Sequence, residues 1–463
     1  MSIPARSWWL RQALTDGAPA TPPLTAELDA DVCIVGAGYT GLWTALRIRE
    51  LAPSLRVIML EADLAGAGAS GRNGGFAMTF WHHFLALERA CGSGEALRLG
   101  RESAAAVAHI GAVCREHGID AQFRPDGWLW TATSPAQIGA WTSTVEALAR
   151  HGERPFAELP AAEVAARAGS DKHLAGVFEA GAASVQPALL ARGLRRVALA
   201  QGVELFEGSP MVGLDRGPEL VVRTPGGRVQ AGRVVIAMNA WATRLRELRG
   251  RFVTIASDLV ITEPAPERLA QAGLRGGVSI SDSRLMVHYY RPTPDGRLAF
   301  GKGGGSLAYG SRVGRSFEGV SPRAAAVAAH MHALEPALAD VPLAASWVGP
   351  IDRSLDGLPF FTTLGRPDLI CGLGYSGNGV GPSVLGGRIL ASMALGREDE
   401  WGRCGLVREP PSGLPPEPLS YLGGQLVRRA VTRLERAEDA RRTPSWIDRR
   451  LTALAPPGLV PVD

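Results

Sequence analysis

Hydrophobic positions along the chain follow two periods. Asp31-Val32-Cys33-Ile34-Val35 is apolar at nearly every position, breaks at Gly36-Ala37-Gly38-Tyr39-Thr40-Gly41, and resumes with helical spacing from Leu42 to Leu51. A second apolar run, Arg56-Val57-Ile58-Met59-Leu60, ends on Glu61. Continuous short apolar runs suit strands buried on both faces, so this segment predicts a βαβ unit within a parallel sheet. Arg233 to Trp241 predicts another such strand, preceded by short strands at Val203 to Phe206 and Glu219 to Thr224. Near the end, Leu369 to Leu373 runs into Gly374-Tyr375-Ser376-Gly377-Asn378-Gly379-Val380 and a helix from Val384 to Leu395. That last junction has no βαβ unit of its own, so folding back onto the first sheet is the simpler solution.

The intervening segments read differently. Helical spacing is expected over Glu95 to His117, Pro135 to His151 and Arg323 to Leu338, and a strand at Gly127 to Ala132, while the chain leaves the first core through Phe252 to Glu263. Leu285 to Arg291 and Arg297 to Phe300 flank a Pro-Asp-Gly turn, as in a hairpin. From Pro411 the chain is proline-rich, and Leu422 to Ile447 reads as an amphipathic helix with Leu426, Val427, Val431 and Leu434 on one side and many arginines elsewhere. Such a stretch suits the protein's own surface or a dimer interface better than a membrane, because acids are interleaved.

Composition narrows the class. With 463 residues and 46 % hydrophobic content the chain can bury a large core over two or three interleaved domains. A net charge of +4 is small for this length and offers no reason to invoke nucleic acid. Five widely spaced cysteines argue against a disulfide framework and against a zinc cluster, and so for reduced thiols and a cytoplasmic location. Met1 to Leu14 lacks the apolar core of a secretory signal, and no run is long enough to span a membrane.

The glycine spacing carries chemistry. Gly36 permits the tight turn, Gly38 lets the backbone approach a pyrophosphate, and Gly41 allows the helix to pack on the sheet. The phosphates then meet the positive end of the helix, and Glu61 is placed to accept hydrogen bonds from a ribose diol. A dinucleotide-dependent redox enzyme is the expectation. The segment 65–76, Ala-Gly-Ala-Gly-Ala-Ser-Gly-Arg-Asn-Gly-Gly-Phe, is too rich in glycine for a helix and too polar for a buried strand, so it reads as a loop shaped around a ligand.

Three segments together, Gly36 to Glu61, Ala69 to Gly75 and Gly374 to Val380, resemble the flavin-dependent amine and amino-acid oxidases of the D-amino-acid oxidase superfamily, in particular the gamma-glutamylputrescine, glycine and sarcosine oxidase group. The resemblance implies an α/β architecture: an interrupted Rossmann-like FAD-binding domain (28–88, 173–247 and 345–400), a mixed-sheet substrate-binding cap domain (89–172 and 248–344) and a C-terminal tail (401–463). It also implies that Ser70, Arg72, Asn73, Gly74 and Gly75 pass beside the pyrophosphate and flavin, that Val212 lies against adenine, and that Gly377, Asn378, Gly379 and Val380 aim a helix N-terminus at the flavin pyrimidine. Sarcosine oxidases attach flavin through a cysteine in the segment corresponding to Ser346 to Gly349; none is present, which implies noncovalent FAD.

The expected reaction is oxidation of a C–N bond in a small primary or secondary amine, bearing a carboxylate or phosphonate, to an imine that hydrolyses to a carbonyl compound and an amine. His82 is a candidate proton acceptor. By resemblance, the hairpin carrying His288, Tyr290, Arg291 and Lys302 faces the flavin. Alternation puts His288 and Tyr290 on one face and Tyr289 and Arg291 on the other, and only one set can look inward. Arg291 or Lys302 is a candidate partner for the substrate's acidic group. Oxygen is the expected electron acceptor; the lysine that activates oxygen in sarcosine oxidases falls on Ala299 here, which leaves open a dehydrogenase serving another carrier. A flavin-dependent RNA-modifying enzyme is the remaining alternative, and the oligomeric state is left open.

Overall fold

The computed structural model describes residues 6–15, 17–411 and 413–456, so the end of the expected tail, 457–463, lies outside the described residues. Two eight-stranded sheets organise them. In the first, the Glu27–Val35 strand pairs in parallel with Arg228–Ile236 on one side and Val57–Leu60 on the other. Leu369–Leu373 adds beyond Arg228–Ile236 and Glu204–Phe206 beyond Val57–Leu60, both parallel. The terminal glycine junction thus returns to the first sheet.

The continuous apolar runs have a direct structural cause. Val32, Ile34, Val57 and Met59 enter one hydrophobic cluster, while the alternate residues Cys33, Val35, Ile58 and Leu60 enter another on the opposite face. Helices Tyr39–Leu51 and Pro382–Ala394 pack together over the first of these. A Cβ at Gly387 would lie 2.5 Å from Trp43 Cβ, so only glycine admits this close crossing.

The second sheet runs Leu343–Ser354, Phe252–Thr262, Leu298–Lys302, His288–Pro292, Ser279–Asp282, Trp128–Ala132, Ala175–Glu179, Phe156–Leu159. It is mixed, because Ser279–Asp282 and Trp128–Ala132 pair in parallel among antiparallel neighbours. The domain boundaries differ from those read in the sequence. Ala175–Glu179, within 173–247, and Leu343–Ser354, most of it within 345–400, are hydrogen-bonded into the second sheet. Conversely the helix Ser93–Glu116, within 89–172, buries Leu99, Val107 and Ile110 in the cluster that holds the Pro382–Ala394 helix. Periodicity identifies such elements but carries no record of which sheet or helix they meet.

Two further differences concern the termini. Trp8–Ala13 is a helix whose Trp9 packs edge-on against Trp347 at 5.6 Å. The tail is a hairpin of two helices, Leu419–Asp439 and Trp446–Thr452, because Pro444 and the Ser445 cap interrupt the arginine-rich pattern.

Candidate active site

A cavity of about 1010 Å³ runs between the two sheets, from Glu61 and the Gly36–Gly38 turn to Tyr289, Met286 and the tail helices. That is large for one small substrate. At its inner end the backbone N–H of Ala37 donates to Glu61 Oε2 at 2.8 Å, and Asp63 N–H donates to Oε1 at 3.0 Å. Burial raises the Glu61 carboxyl above its ordinary range against these two bonds. Gly36 has φ +108°, and a Cβ there would sit 2.4 Å from the Ala237 carbonyl; a Cβ at Gly41 would lie 2.0 Å from the Gly36 carbonyl. Side chains are thus excluded where the turn crosses the sheet and where the helix leaves it. Gly36, Gly38 and Glu61 border the cavity, whereas Gly41 is a packing contact behind them.

The loop at 69–75 is clamped from outside. Ser7 Oγ donates to Gly71 O, Trp347 Nε1 to Arg72 O at 2.8 Å, Trp9 Nε1 to Asn73 O at 3.0 Å, and Arg291 Nε to Gly74 O at 2.8 Å. Four successive carbonyls are held by three remote segments, which is why so glycine-rich a stretch has one conformation. Ser70 Oγ accepts from Tyr39 N–H at 2.9 Å, tying the loop to the helix N-terminus, and Asn73 Oδ1 accepts from Gly75 N–H at 2.7 Å. Ser70, Arg72, Asn73 and Gly74 border the cavity; Gly75 lies behind, beneath Val185 and Arg291. Arg72 is half-buried and donates to Ala67 O and Phe317 O.

The second glycine loop faces the first. Asp352 accepts from Gly374 N–H at 2.6 Å and from Asn239 Nδ2 at 2.9 Å, and burial pushes its carboxyl up to about 7. Gly377, Asn378, Gly379 and Val380 border the cavity, and Asn378 Oδ1 is buried without a partner while its Nδ2 donates to Thr79 O. Val212 does not border it: the side chain is exposed, its N–H donates to Arg223 O, and Ser209 to Met211 form the wall instead.

Of the hairpin candidates, none of His288, Tyr290, Arg291 and Lys302 borders the cavity. His288 is held by Asp282 at 2.7 Å and His330 at 3.1 Å, and Tyr290 donates to Ala168 O and meets His173, both on the face that carries the helix Ala324–Leu334. Lys302 donates to Met286 O at 2.9 Å and lies 4.0 Å from Glu435. Arg291 faces inward but its donors go to Gly74 O and Val185 O, with Trp9 over the guanidinium. The inward set is that of Tyr289, whose hydroxyl meets Ser257 at 2.7 Å within the cavity wall.

Two groups stand out by lacking partners. His82 borders the cavity with 1 % exposure, and neither ring nitrogen has a hydrogen bond. Burial holds its pKa well below the usual value; the adjacent His83, ring centroid 4.1 Å away, is pushed down to about 4 by burial and then by Arg353. Arg353 was not singled out by the sequence, since nothing distinguishes one arginine among many. It borders the cavity, its Nε has no partner, its Nη2 makes a single 3.3 Å bond to Ser376 O, and burial lowers its pKa to about 10. The tail is the other unforeseen wall: Leu426, Val427 and Val431 border the mouth, and Arg428 donates to Gly304 O at 2.9 Å.

A sheet whose central strands are parallel, with a glycine turn, an acid at the end of its second strand and a large cavity under a separate mixed sheet, defines a dinucleotide-dependent enzyme. The chain belongs to the FAD dependent oxidoreductase family, whose model matches residues 31–393. It is 30 % identical over 404 residues to a probable oxidoreductase OrdL of Rhizobium meliloti, covering 86 % of this chain and 90 % of that protein. It is 29 % identical over 376 residues to the gamma-glutamylputrescine oxidoreductase of Escherichia coli, covering 81 % and 85 %. The glycine oxidase of Geobacillus kaustophilus has the same fold, with TM-score 0.68 at 22 % identity over 83 % of this chain and all of that one. The residues present fit FAD: glycines whose Cβ atoms would be blocked, a half-buried acid at the end of the second strand, and the unpartnered Asn378 Oδ1 in the facing loop.

Proposed function

We propose that the protein oxidises the C–N bond of a primary or secondary amine bearing a carboxylate or phosphonate, using noncovalently held FAD and releasing an imine for hydrolysis. The observation that carries this reading is the pairing, in one cavity, of the unpartnered His82 imidazole with the Arg353 guanidinium that has no carboxylate neighbour. Amine chemistry is supported by the relative named as acting on gamma-glutamylputrescine. Noncovalent attachment is supported by the position of all five cysteines, none of which borders the cavity.

FAD, when bound, supplies the acceptor for a hydride equivalent. The chain's own residues prepare the amine. A free aliphatic ammonium has a pKa roughly three units above neutral, so forming the reactive free base costs on the order of 4 kcal/mol. The apolar wall of Met286, Val287 and Leu259 disfavours the ammonium and so promotes loss of its proton; His82, kept neutral by burial, is the first acceptor and passes that proton on to solvent. Arg353 orients the acidic end, so that the amine end meets His82.

Oxygen is the proposed acceptor in a cytoplasmic enzyme. A second reading, a dehydrogenase serving another carrier, is favoured by one observation: the hairpin presents no lysine to the cavity, since Ala299 occupies the inward register and Lys302 pairs with His288 on the other face. Anaerobic mixing with a panel of acidic and neutral amines tests the main proposal through bleaching of the flavin band. Failure of every acidic amine to bleach it, with neutral ones succeeding, refutes the substrate class. Reoxidation by oxygen against an added quinone or dye decides the acceptor.

A further inference from the structure

The tail hairpin holds a surface that the reaction does not use. Residues 419–456 contain eight arginines against four acids, which accounts for the entire net charge of +4. The acids are largely committed inward: Glu435 is buried and accepts from Met286 N–H, Asp439 pairs with Arg284, and Asp448 is buried against Arg433 and Ser445. Arg429, Arg436, Arg441, Arg442 and Arg450 are exposed and have no ion-pair partner among the described residues.

The same hairpin carries a concentration of exposed apolar side chains. Leu419, Leu422 and Leu426 are 61 %, 55 % and 55 % exposed, and Trp446, Ile447 and Leu454 are 69 %, 50 % and 71 % exposed. Leu419, Leu422 and Leu426 recur at helical spacing, and Arg429, Arg433 and Arg436 continue that outer stripe; Val431 and Glu435 face the opposite way and are buried. Single exposed leucines need no explanation, but an apolar stripe that runs on into arginines, beside a second helix with an exposed tryptophan, suits a helix hairpin lying in a bilayer interface. No helix among the described residues is long and apolar enough to cross a membrane, so the contact is peripheral.

We propose that the hairpin docks the enzyme on an anionic lipid surface, with Leu419, Leu422, Leu426, Trp446, Ile447 and Leu454 entering the headgroup region and the unpaired arginines meeting lipid phosphates. Charge complementarity selects this occupant over a second copy of the chain, because two such arginine-rich faces repel. Leu419, Leu426 and Leu454 also border the cavity, so docking sets its mouth at the lipid surface.

The test uses flavin-loaded full-length protein and vesicles of phosphatidylcholine alone or with 30 mol% phosphatidylglycerol, in a flotation assay at low and high salt. Expected are binding to the anionic vesicles at low salt, weakening at high salt, and little binding to neutral ones. Each arginine near an anionic surface contributes roughly fivefold, so R429E/R436E/R450E, which breaks no recorded ion pair, lowers partitioning on the order of a hundredfold or more. Flavin content checks its folding. As a measurement free of that variant, brominated lipid quenches the wild-type tryptophan emission more than that of Trp446→Phe. Absence of flotation with anionic vesicles at low salt, equal partitioning of the charge variant, equal quenching of Trp446→Phe, or a concentration-dependent dimer that buries Trp446 instead would overturn the proposal.

Discussion

Replacing Arg353 with methionine removes a charge while keeping an unbranched side chain of similar reach. Burial lowers the Arg353 pKa to about 10, so the cavity as it stands disfavours the guanidinium by up to about 3 kcal/mol, less whatever cavity water screens. The single 3.3 Å bond to Ser376 O compensates little of this. A substrate carboxylate that completes the guanidinium gains the value of a charged hydrogen bond, about 1.5–3 kcal/mol, which corresponds to roughly 10- to 150-fold in affinity. Arg353→Met is therefore expected to raise KM for an acidic amine by that factor and to leave its neutral analogue within about twofold. The apo variant is expected to melt no lower than wild type, because a half-buried charge without a carboxylate partner is gone. Steady-state rates on matched acidic and neutral amines, with thermal melting alongside, make the measurement. Equal losses on both substrates, or none on either, refute the assignment of Arg353 to the acidic group.

His82→Asn removes the proposed proton acceptor and is expected to lower the rate of anaerobic flavin reduction by about 10²–10⁴ while flavin binding persists; an unchanged rate excludes it. In Gly38→Ala the new Cβ would lie 2.9 Å from Ser70 Oγ, a side chain that can rotate, so the fold survives but the close approach of a pyrophosphate is blocked; flavin titration of the apoprotein is expected to show at least tenfold weaker binding. Glu335 is fully buried, and burial raises its pKa to about 8 against the opposing effect of the nearby Tyr290 hydroxyl. Its raised folded value means that its contribution is intact below the unfolded pKa of about 4.5 and is lost as pH rises through about 8, so Glu335→Gln is expected to gain stability relative to wild type on going from pH 5 to pH 9, by up to a few kcal/mol. Parallel melting curves for the two proteins across that range contradict this. Acid precipitation is expected to release all yellow colour into the supernatant; retention in the pellet would disprove noncovalent FAD.

The nucleotide half was legible because local requirements coincide with sequence pattern. A strand buried on both faces must be apolar throughout, a turn at φ +108° demands Gly36, and an acid must end the second strand, so the run from Val32 to Glu61 could be read without any partner. The return of Leu369–Leu373 to that sheet followed from its inability to complete a unit alone. The substrate side had no such coincidence. Alternation established that Tyr289 and Arg291 share a face opposite to His288 and Tyr290, but which face meets the cavity depends on the Ala324–Leu334 helix covering the other side. Arg291 looked like a substrate anchor until Gly74 and Val185 took its donors and Trp9 covered its face, whereas Arg353 is the proposed anchor because no carboxylate comes near. Charge and periodicity are properties of a residue and its neighbours in the chain; whether a buried cation is satisfied or waiting for a ligand is decided by groups tens to hundreds of positions away, and those meet only in the folded molecule.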